Sequence, residues 1–223
     1  MKRALGLFLV FGHLIVPGFG QNNSIGKNDQ DAKKVLDLLS VKLKSFKAIK
    51  ADFTLKIEDA NGKLQGTKSG TVLVKGSKYR LVVTGQEVFC DGKDIWTYDK
   101  SSNEVTITKS DPSAKTISSP EILFTDFYDK DFLYKLNGEI KQGGRTLEEI
   151  ELTPVDKTKT FFKVYLYIDK KSHLIYSLKW LEKGGNKYTI ITNKLNGNAA
   201  ISDSQFVFDK SKYPGVEEVD LRN

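Results

Sequence analysis

Short stretches in which apolar and polar side chains alternate recur through most of this 223-residue chain. Between residues 51 and 58, apolar side chains occupy every odd position and polar ones every even position. Side chains alternate between the two faces of a β-strand, so this pattern predicts a strand with one buried face. Turn signals such as Asn61-Gly62, Asp91-Gly92 and Gly143-Gly144 separate successive stretches. Tight turns between consecutive strands predict an antiparallel meander, because parallel strands need long crossover connections.

Two segments depart from the two-residue period and predict helices. In residues 35–46 apolar side chains recur at intervals of three and four, with Lys42 as the one interruption (Val35, Leu38, Leu39, Leu43, Phe46). In the second segment, Ser119 precedes Pro120 at a predicted helix start, and the apolar side chains Ile122, Leu123, Phe124, Phe127 and Tyr128 follow. This second helix is very apolar for an insertion between strands. We therefore expect it to lie against the open face of the sheet.

The first twenty residues predict an export signal. The basic pair Lys2-Arg3 precedes an apolar run over residues 5–16, and small residues follow it. We predict cleavage between Gly20 and Gln21, which leaves residues 21–223 as one domain in the periplasm. The alternative is a membrane anchor, which the short apolar run disfavours, because about twenty residues are needed to cross a bilayer.

The composition favours binding over catalysis. The sequence has one cysteine and two histidines, and the only histidine beyond the predicted signal is His173, in a predicted turn. Zinc sites need a cluster of Cys and His, a serine nucleophile would have only His173 as its base, and we find no Gly-rich phosphate loop. The lysines are scattered, which is typical of a solvated surface and not of a nucleic-acid interface. We predict a non-enzymatic protein without metal or cofactor, with Cys90 buried and inert; a glycosidase-type carboxylate pair is the enzymatic alternative.

Aromatic residues are abundant, with 13 Phe, 9 Tyr and 2 Trp. Residues 161–168 are apolar on both alternating sets of positions. Two interpretations fit this excess. One is a well-filled core with ordinary surface tyrosines. The other is a sheet curled into an incomplete barrel, whose interior is larger than its own side chains fill.

Several motifs occur together, in order, over nearly all of the predicted mature chain. They are residues 32–57, 70–75 and 78–81, the pattern Asp-Gly-x-x-x-Trp-x-Tyr at residues 91–98, and the ending at residues 206–208, 214–216 and 219–220. In this combination the chain resembles the periplasmic outer-membrane lipoprotein carriers of the LolA type. The resemblance implies a mainly β (α+β) fold, a single antiparallel, incompletely closed β-barrel with a helical lid over a hydrophobic cavity. We expect ten or eleven strands.

The same resemblance implies a function. Carriers of this family take acylated lipoproteins from an inner-membrane ATP-driven lipoprotein exporter, shield the acyl chains, and pass them to an outer-membrane acceptor. Burial of an acyl chain contributes about 0.8 kcal/mol per CH₂, so an aqueous crossing requires an apolar container. We expect a monomeric periplasmic chaperone that binds acylated lipoproteins and no nucleic acid. The alternative is another periplasmic lipid-binding or envelope-stress-sensing module of the same fold.

The helical stripe and the strand alternation select the side chains that we expect to line the cavity. They are Leu39, Leu43 and Phe46 of the first helix, Phe53 and Leu55 of the first strand, Leu81, Val83, Trp96 and Tyr98 of the middle strands, and Ile122, Leu123, Phe124 and Phe127 of the lid. An error of one residue in a strand would turn its whole set to the other face.

The lid latch is a point where the chain departs from the family. Members often carry an Arg-Pro pair after the strand at residues 72–75, and that arginine helps to hold the lid. Gly76-Ser77 stand at this place here. We consider Arg80 as the replacement, because a guanidinium can bind several carbonyl oxygens at once. The alternative is that Arg80 is a solvated charge on the outer face of its strand.

Overall fold

The computed structural model describes residues 28–111 and 128–222. The predicted export signal lies outside these residues, as do the predicted lid residues Ile122, Leu123, Phe124 and Phe127. The described helices are α1 (Gln30–Lys44) and the single turn α2 (Tyr128–Asp131). The strands are β1 (Ile49–Glu58), β2 (Leu64–Lys75), β3 (Lys78–Val83), β4 (Gln86–Cys90), β5 (Asp94–Asp99), β6 (Glu104–Lys109), β7 (Phe132–Gln142), β8 (Arg145–Pro154), β9 (Phe161–Asp169), β10 (Leu174–Glu182), β11 (Lys187–Asn196) and β12 (Glu217–Asp220).

All twelve strands belong to one sheet, in the order β12-β6-β5-β4-β3-β2-β1-β11-β10-β9-β8-β7. Neighbours are antiparallel except β12, which lies parallel to β6. Within the described chain the end strands β12 and β7 are not paired with each other, so the sheet is unclosed. The predicted mainly β, incompletely closed antiparallel fold is confirmed. We expected ten or eleven strands, and the described residues form twelve. The sequence missed β12, because it is exposed at three of its four positions and shows no alternation.

Helix α1 begins at a capping residue that also holds the sheet edge. The Asp29 carboxylate accepts hydrogen bonds from the backbone N–H of Asp31 at 2.9 Å and of Ala32 at 3.4 Å. Its other oxygen accepts from the N–H of Leu136 on the edge strand β7 at 3.1 Å, and the Asp29 N–H donates to Tyr134 at 3.2 Å. The start of α1 therefore protects part of an edge that would otherwise pair with another strand.

The buried stripe of α1 differs slightly from the predicted one. Ala32, Val35, Leu36, Leu39 and Leu43 are buried. Leu38 was expected in this stripe, but its side chain is 47% exposed. The helix packs on one side of the sheet, which we call the helix face. Its core there contains side chains of β1, β7, β8, β9 and β10: Ile49, Ala51, Phe132, Tyr134, Ile150, Leu152, Phe161, Val164, Leu166, Ile168 and Leu178.

A C-terminal tail, residues 197–222, covers part of the opposite side, which we call the tail face. Phe206, in the short 3-10 helix Asp203–Phe206, is fully buried against this side. Further along the tail, the Phe208 ring contacts Phe89 at 5.7 Å and Tyr213 at 4.5 Å between centroids. The Asp203 carboxylate bridges Lys75 and Lys78, each at 2.7 Å. The tail is thus fixed to the sheet by one aromatic cluster and a pair of ionic contacts.

We predict that the tail depends on the Phe206 ring. Phe206→Ala should lower the free energy of unfolding by about 3–5 kcal/mol, because a fully buried aromatic ring is removed and leaves a cavity. The matched control is Val207→Ala, next to it in the chain, whose side chain is 42% exposed and should change stability by less than about 0.5 kcal/mol. Urea unfolding followed by circular dichroism measures both. Equal effects of the two changes would contradict this packing.

Candidate functional site

A continuous apolar surface lies on the helix face beside the part that α1 covers. Its side chains are half-buried and come from six adjacent strands, β10, β11, β1, β2, β3 and β4. Cross-strand pairs make it continuous: Leu55 lies opposite Ile190, and Leu81 lies opposite both Val72 and Val88. We call this the apolar surface; it consists of Leu55, Ile57, Val72, Leu81, Val83, Val88, Trp180, Tyr188 and Ile190.

The aromatic end of this surface is formed by β10 and β11. Trp180 and Tyr188 are cross-strand partners, and their rings stack with centroids 4.9 Å apart at an interplanar angle of 9°. Stacked aromatic pairs give a large rigid apolar area at low entropic cost. Trp180, Tyr188 and Ile190 lie in strands that the sequence predicts, but the alternation did not select them for the cavity.

Most predicted cavity residues from the first helix and from β1 and β3 share the helix face. Leu39 and Leu43 are buried in the core beneath α1, and Phe46 packs beside that core. Leu55, Leu81 and Val83 belong to the apolar surface. The helix residues therefore fill the protein's own core, whereas the strand residues are half-buried.

Trp96 and Tyr98 do not join them, and their assignment to the cavity is corrected. In the register of β3, β4 and β5, Leu81 lies opposite Val88, and Val88 lies opposite Thr97. Trp96 and Tyr98 flank Thr97, so they point to the tail face. There Tyr98 packs against the tail rings at 4.5 to 6.1 Å, with its hydroxyl hydrogen bonded to Asn103 at 3.0 Å. The error arose because β5 carries apolar side chains on both faces, so its alternation does not decide the orientation.

Arg80 also lies on the tail face, away from the helix side where a latch was expected. Its guanidinium donates to the Glu87 carboxylate at 2.7 Å and lies 4.7 Å from the centroid of Phe89. The Tyr213 hydroxyl donates to the same carboxylate at 3.3 Å. Burial, followed by the nearby Glu87 charge, raises the pKa of Tyr213 to about 12, so this phenol stays protonated. Arg80 therefore lies on the outer face of its strand, as the alternative predicted, but it binds Glu87 and helps to hold the tail there.

Phe53 lies on the helix face, and its ring packs over Gly70. It is 8% exposed and pairs across the strands with Gly70 of β2. A Cβ added at Gly70 would lie 2.4 Å from Cζ of Phe53 and 2.6 Å from the backbone oxygen of Val82. Only glycine leaves room for the ring at this point. Phe53 thus reaches across β2 toward β3.

An open groove of about 620 Å³ lies beside this contact, at the turn between β3 and β4. It is lined by Asp52, Phe53, Ser69, Gly70, Thr71, Val82, Val83, Thr84, Gly85, Gln86, Glu87, Tyr98, Lys100 and Asn193. Two carboxylates in its wall already have partners: Asp52 accepts from the Thr71 hydroxyl at 2.8 Å, and Glu87 binds Arg80. The groove therefore combines apolar side chains with two carboxylates that already have hydrogen-bond partners.

In residues 28–111 and 128–222, no group of three or more His, Cys, Asp or Glu side chains is arranged to hold a metal ion. In the same ranges no helix is long and apolar enough to span a membrane.

We predict that the Phe53–Gly70 contact is sensitive to a single methyl group. Gly70→Ala should lower the free energy of unfolding by about 1–3 kcal/mol, because the new Cβ collides with a ring and with a backbone oxygen. The control is Gly66→Ala in the same strand, where nothing lies within 4 Å of the added Cβ. Chemical unfolding measures both variants. A loss for Gly66→Ala as large as for Gly70→Ala would show that the ring does not lie over Gly70.

Comparisons with known proteins agree with this architecture. An outer-membrane lipoprotein carrier protein of Chromobacterium violaceum is 28% identical over 188 residues, which cover 79% of this chain and 85% of that protein. One from Pseudomonas putida is 26% identical over 219 residues, covering 94% of this chain and 96% of that protein. The solved structure of an uncharacterized conserved protein from Thermus thermophilus superposes with a TM-score of 0.58 at 13% identity, covering 86% of this chain and 99% of that chain. At such an identity the likeness concerns the fold alone.

A family model gives the assignment. The model of the outer membrane lipoprotein carrier protein LolA matches residues 44–209. This match runs from the end of α1 through all eleven strands up to β11 and into the tail. The chain therefore belongs to the LolA family of outer-membrane lipoprotein carrier proteins.

Proposed function

We propose that this chain is a periplasmic chaperone that binds the acyl chains of lipoproteins on the apolar surface of the helix face. The observation that carries the proposal is the half-buried apolar surface itself. Side chains such as Leu55, Leu81, Val88 and Ile190 lie beside a well-packed core without being buried in it. Because the chain belongs to a lipoprotein carrier family, we propose acyl chains of lipoproteins as the ligand of this surface.

The energetics favour a lipid over a polar ligand. Apolar area gains about 25 cal/mol per Å² on leaving water, and an acyl chain gains about 0.8 kcal/mol per CH₂. The aliphatic side chains of β1, β3 and β4 offer flat, non-directional contacts, which suit a flexible hydrocarbon chain. The work of such a protein is binding and release, so the proposal requires no catalytic residue.

The route of the cargo follows from the family. We propose that the chain receives acylated lipoproteins from an inner-membrane ATP-driven exporter, crosses the periplasm as a monomer, and delivers them to an outer-membrane acceptor. The export signal expected in residues 1–20 would place it in that compartment. Support for this route comes from the carrier proteins of similar sequence over most of their length.

A single charge on the apolar surface should abolish acyl binding. Leu55→Glu places a carboxylate among apolar side chains, where burial of an unpaired charge is costly. We expect at least a tenfold loss of affinity for a fluorescent fatty-acid probe. The matched control is Lys56→Glu, which introduces the same group one residue along, on the opposite face. Fluorescence titration measures both, and normal binding by Leu55→Glu would remove this surface from the mechanism.

The identity of the cargo is tested by co-purification. The full-length chain, expressed in a Gram-negative host together with a tagged lipoprotein, should carry that acylated protein in native mass spectrometry. Leu55→Glu should carry none, and Lys56→Glu should carry it at the wild-type level. A free phospholipid in place of the lipoprotein would instead support a lipid-binding module of the same fold.

A further inference from the structure

Strand β2 extends well beyond the strand that follows it. It has twelve residues, whereas β3 has six. β3 pairs with residues 70–75 of β2 only. Residues 64–69 pair with β1 on one side. On their other side, no strand from the described parts of the chain pairs with them.

The turn between β2 and β3 sets the direction of the backbone groups along β2. Gly76, at φ +59°, and the residue after it join Lys75 directly to its partner Lys78. In a two-residue turn of this kind the flanking pair is hydrogen bonded, so the Lys75 N–H and C=O point toward β3. The pairing of β2 shows no register shift between residues 66 and 75. The alternation can therefore be followed back along the strand.

The alternation along β2 shows which backbone N–H and C=O groups point to the side without a partner strand. Thr67 and Ser69 are separated from Lys75 by even numbers of residues, so their N–H and C=O groups point away from β1. Gly66 and Lys68 point theirs toward β1. Thr67 and Ser69 are exposed. Such an unpaired row is a template for one more strand.

The unpaired edge borders the groove described above. Ser69 belongs to the groove lining, and Thr84 and Gly85 at the end of β3 form another part of it. The lining also includes Phe53 and Val83, which lie on the helix face. Other lining residues, Val82, Glu87 and Tyr98, lie on the tail face, so the groove is at the place where the two faces meet, and Val83 joins it to the apolar surface.

We infer that residues 64–69 of β2 form a second binding site, at which an extended polypeptide segment adds as a strand. The occupant is the stretch of cargo chain that directly follows the acylated residue. This inference rests on the proposed function, because it places the acyl chains on the apolar surface and leads the attached polypeptide out through the groove. Val83 and Phe53 mark the point where lipid contact gives way to backbone contact.

Backbone pairing would make this site insensitive to the side chains of the cargo. Hydrogen bonds to Thr67 and Ser69 are made by the main chain of the partner and do not depend on its side chains. The groove carboxylates Asp52 and Glu87 are already bound by Thr71 and Arg80. Arg80 balances the charge of Glu87, so this carboxylate imposes no requirement for a basic residue in the cargo.

The test compares two synthetic ligands. One is a ten-residue peptide whose N-terminal cysteine carries a diacylglyceryl thioether; the other is the same diacylglyceryl cysteine as its methyl ester, without further residues. A few backbone hydrogen bonds should make the wild-type protein bind the peptide form about tenfold more tightly. Fluorescence-monitored titration in detergent-free buffer gives the ratio of the two dissociation constants.

Thr67→Pro removes one outward N–H and leaves the β1–β2 pairing intact, because proline is tolerated on an unpaired edge. The ratio should fall to about one, with binding of the methyl ester unchanged. Thr67→Val keeps the N–H and should keep the tenfold ratio. If the wild type binds both ligands equally, the second site is overturned while acyl binding stands. If it binds neither, the proposed function itself fails.

Amide hydrogen exchange in the wild type provides a measurement that does not depend on the folding of a variant. The Thr67 and Ser69 amides should exchange fast in the free protein and slow at least tenfold when the acylated peptide binds. The methyl ester should leave them unchanged. If these amides exchange as slowly as those of Gly66 and Lys68 before any ligand is added, the chain itself occupies the edge and the inference is overturned.

Discussion

A single sheet of twelve strands has two faces that must be shielded from water, and this chain covers them with different segments. Helix α1 packs on one face and is joined to the edge strand β7 through Asp29. The C-terminal tail packs on the other face through Phe206 and its neighbouring rings. Each cover extends over only part of its face. The part of the helix face that neither segment covers in residues 28–111 and 128–222 is where we propose that a ligand binds.

The two faces use different side chains because they have different tasks. The tail face joins aromatic rings and an ionic network around Arg80 and Glu87, which have fixed geometry and hold a segment in one place. Much of the helix face away from α1 is aliphatic and half-buried. Aliphatic contacts are non-directional, so they accept a hydrocarbon chain in many arrangements. The tail face thus carries contacts of fixed geometry, and the helix face carries the surface that we propose for acyl chains.

Strand β2 lies at the centre of this arrangement. Gly70 lets the Phe53 ring cross it, and at the same residue the pairing with β3 ends. Beyond that point no strand of the described residues pairs with this edge of β2, which borders the groove. A change of partner within one strand therefore places apolar contacts and unpaired backbone groups next to each other. These are the two kinds of contact that a protein with an attached lipid would need.

The sequence by itself determined the fold class, the helix and most strands, because a two-residue period and turn dipeptides are local signals. It also selected Leu55, Leu81 and Val83 as one set, but only the register of β1, β2 and β3 shows that they share a face. Only the tertiary structure decided the orientation of Trp96 and Tyr98, because β5 is apolar on both sides and its register depends on β4. Only the tertiary structure placed Arg80 beneath the tail and showed that Trp180, Tyr188 and Ile190 belong to the apolar surface. These choices depend on contacts between residues far apart in the chain, which no local pattern records.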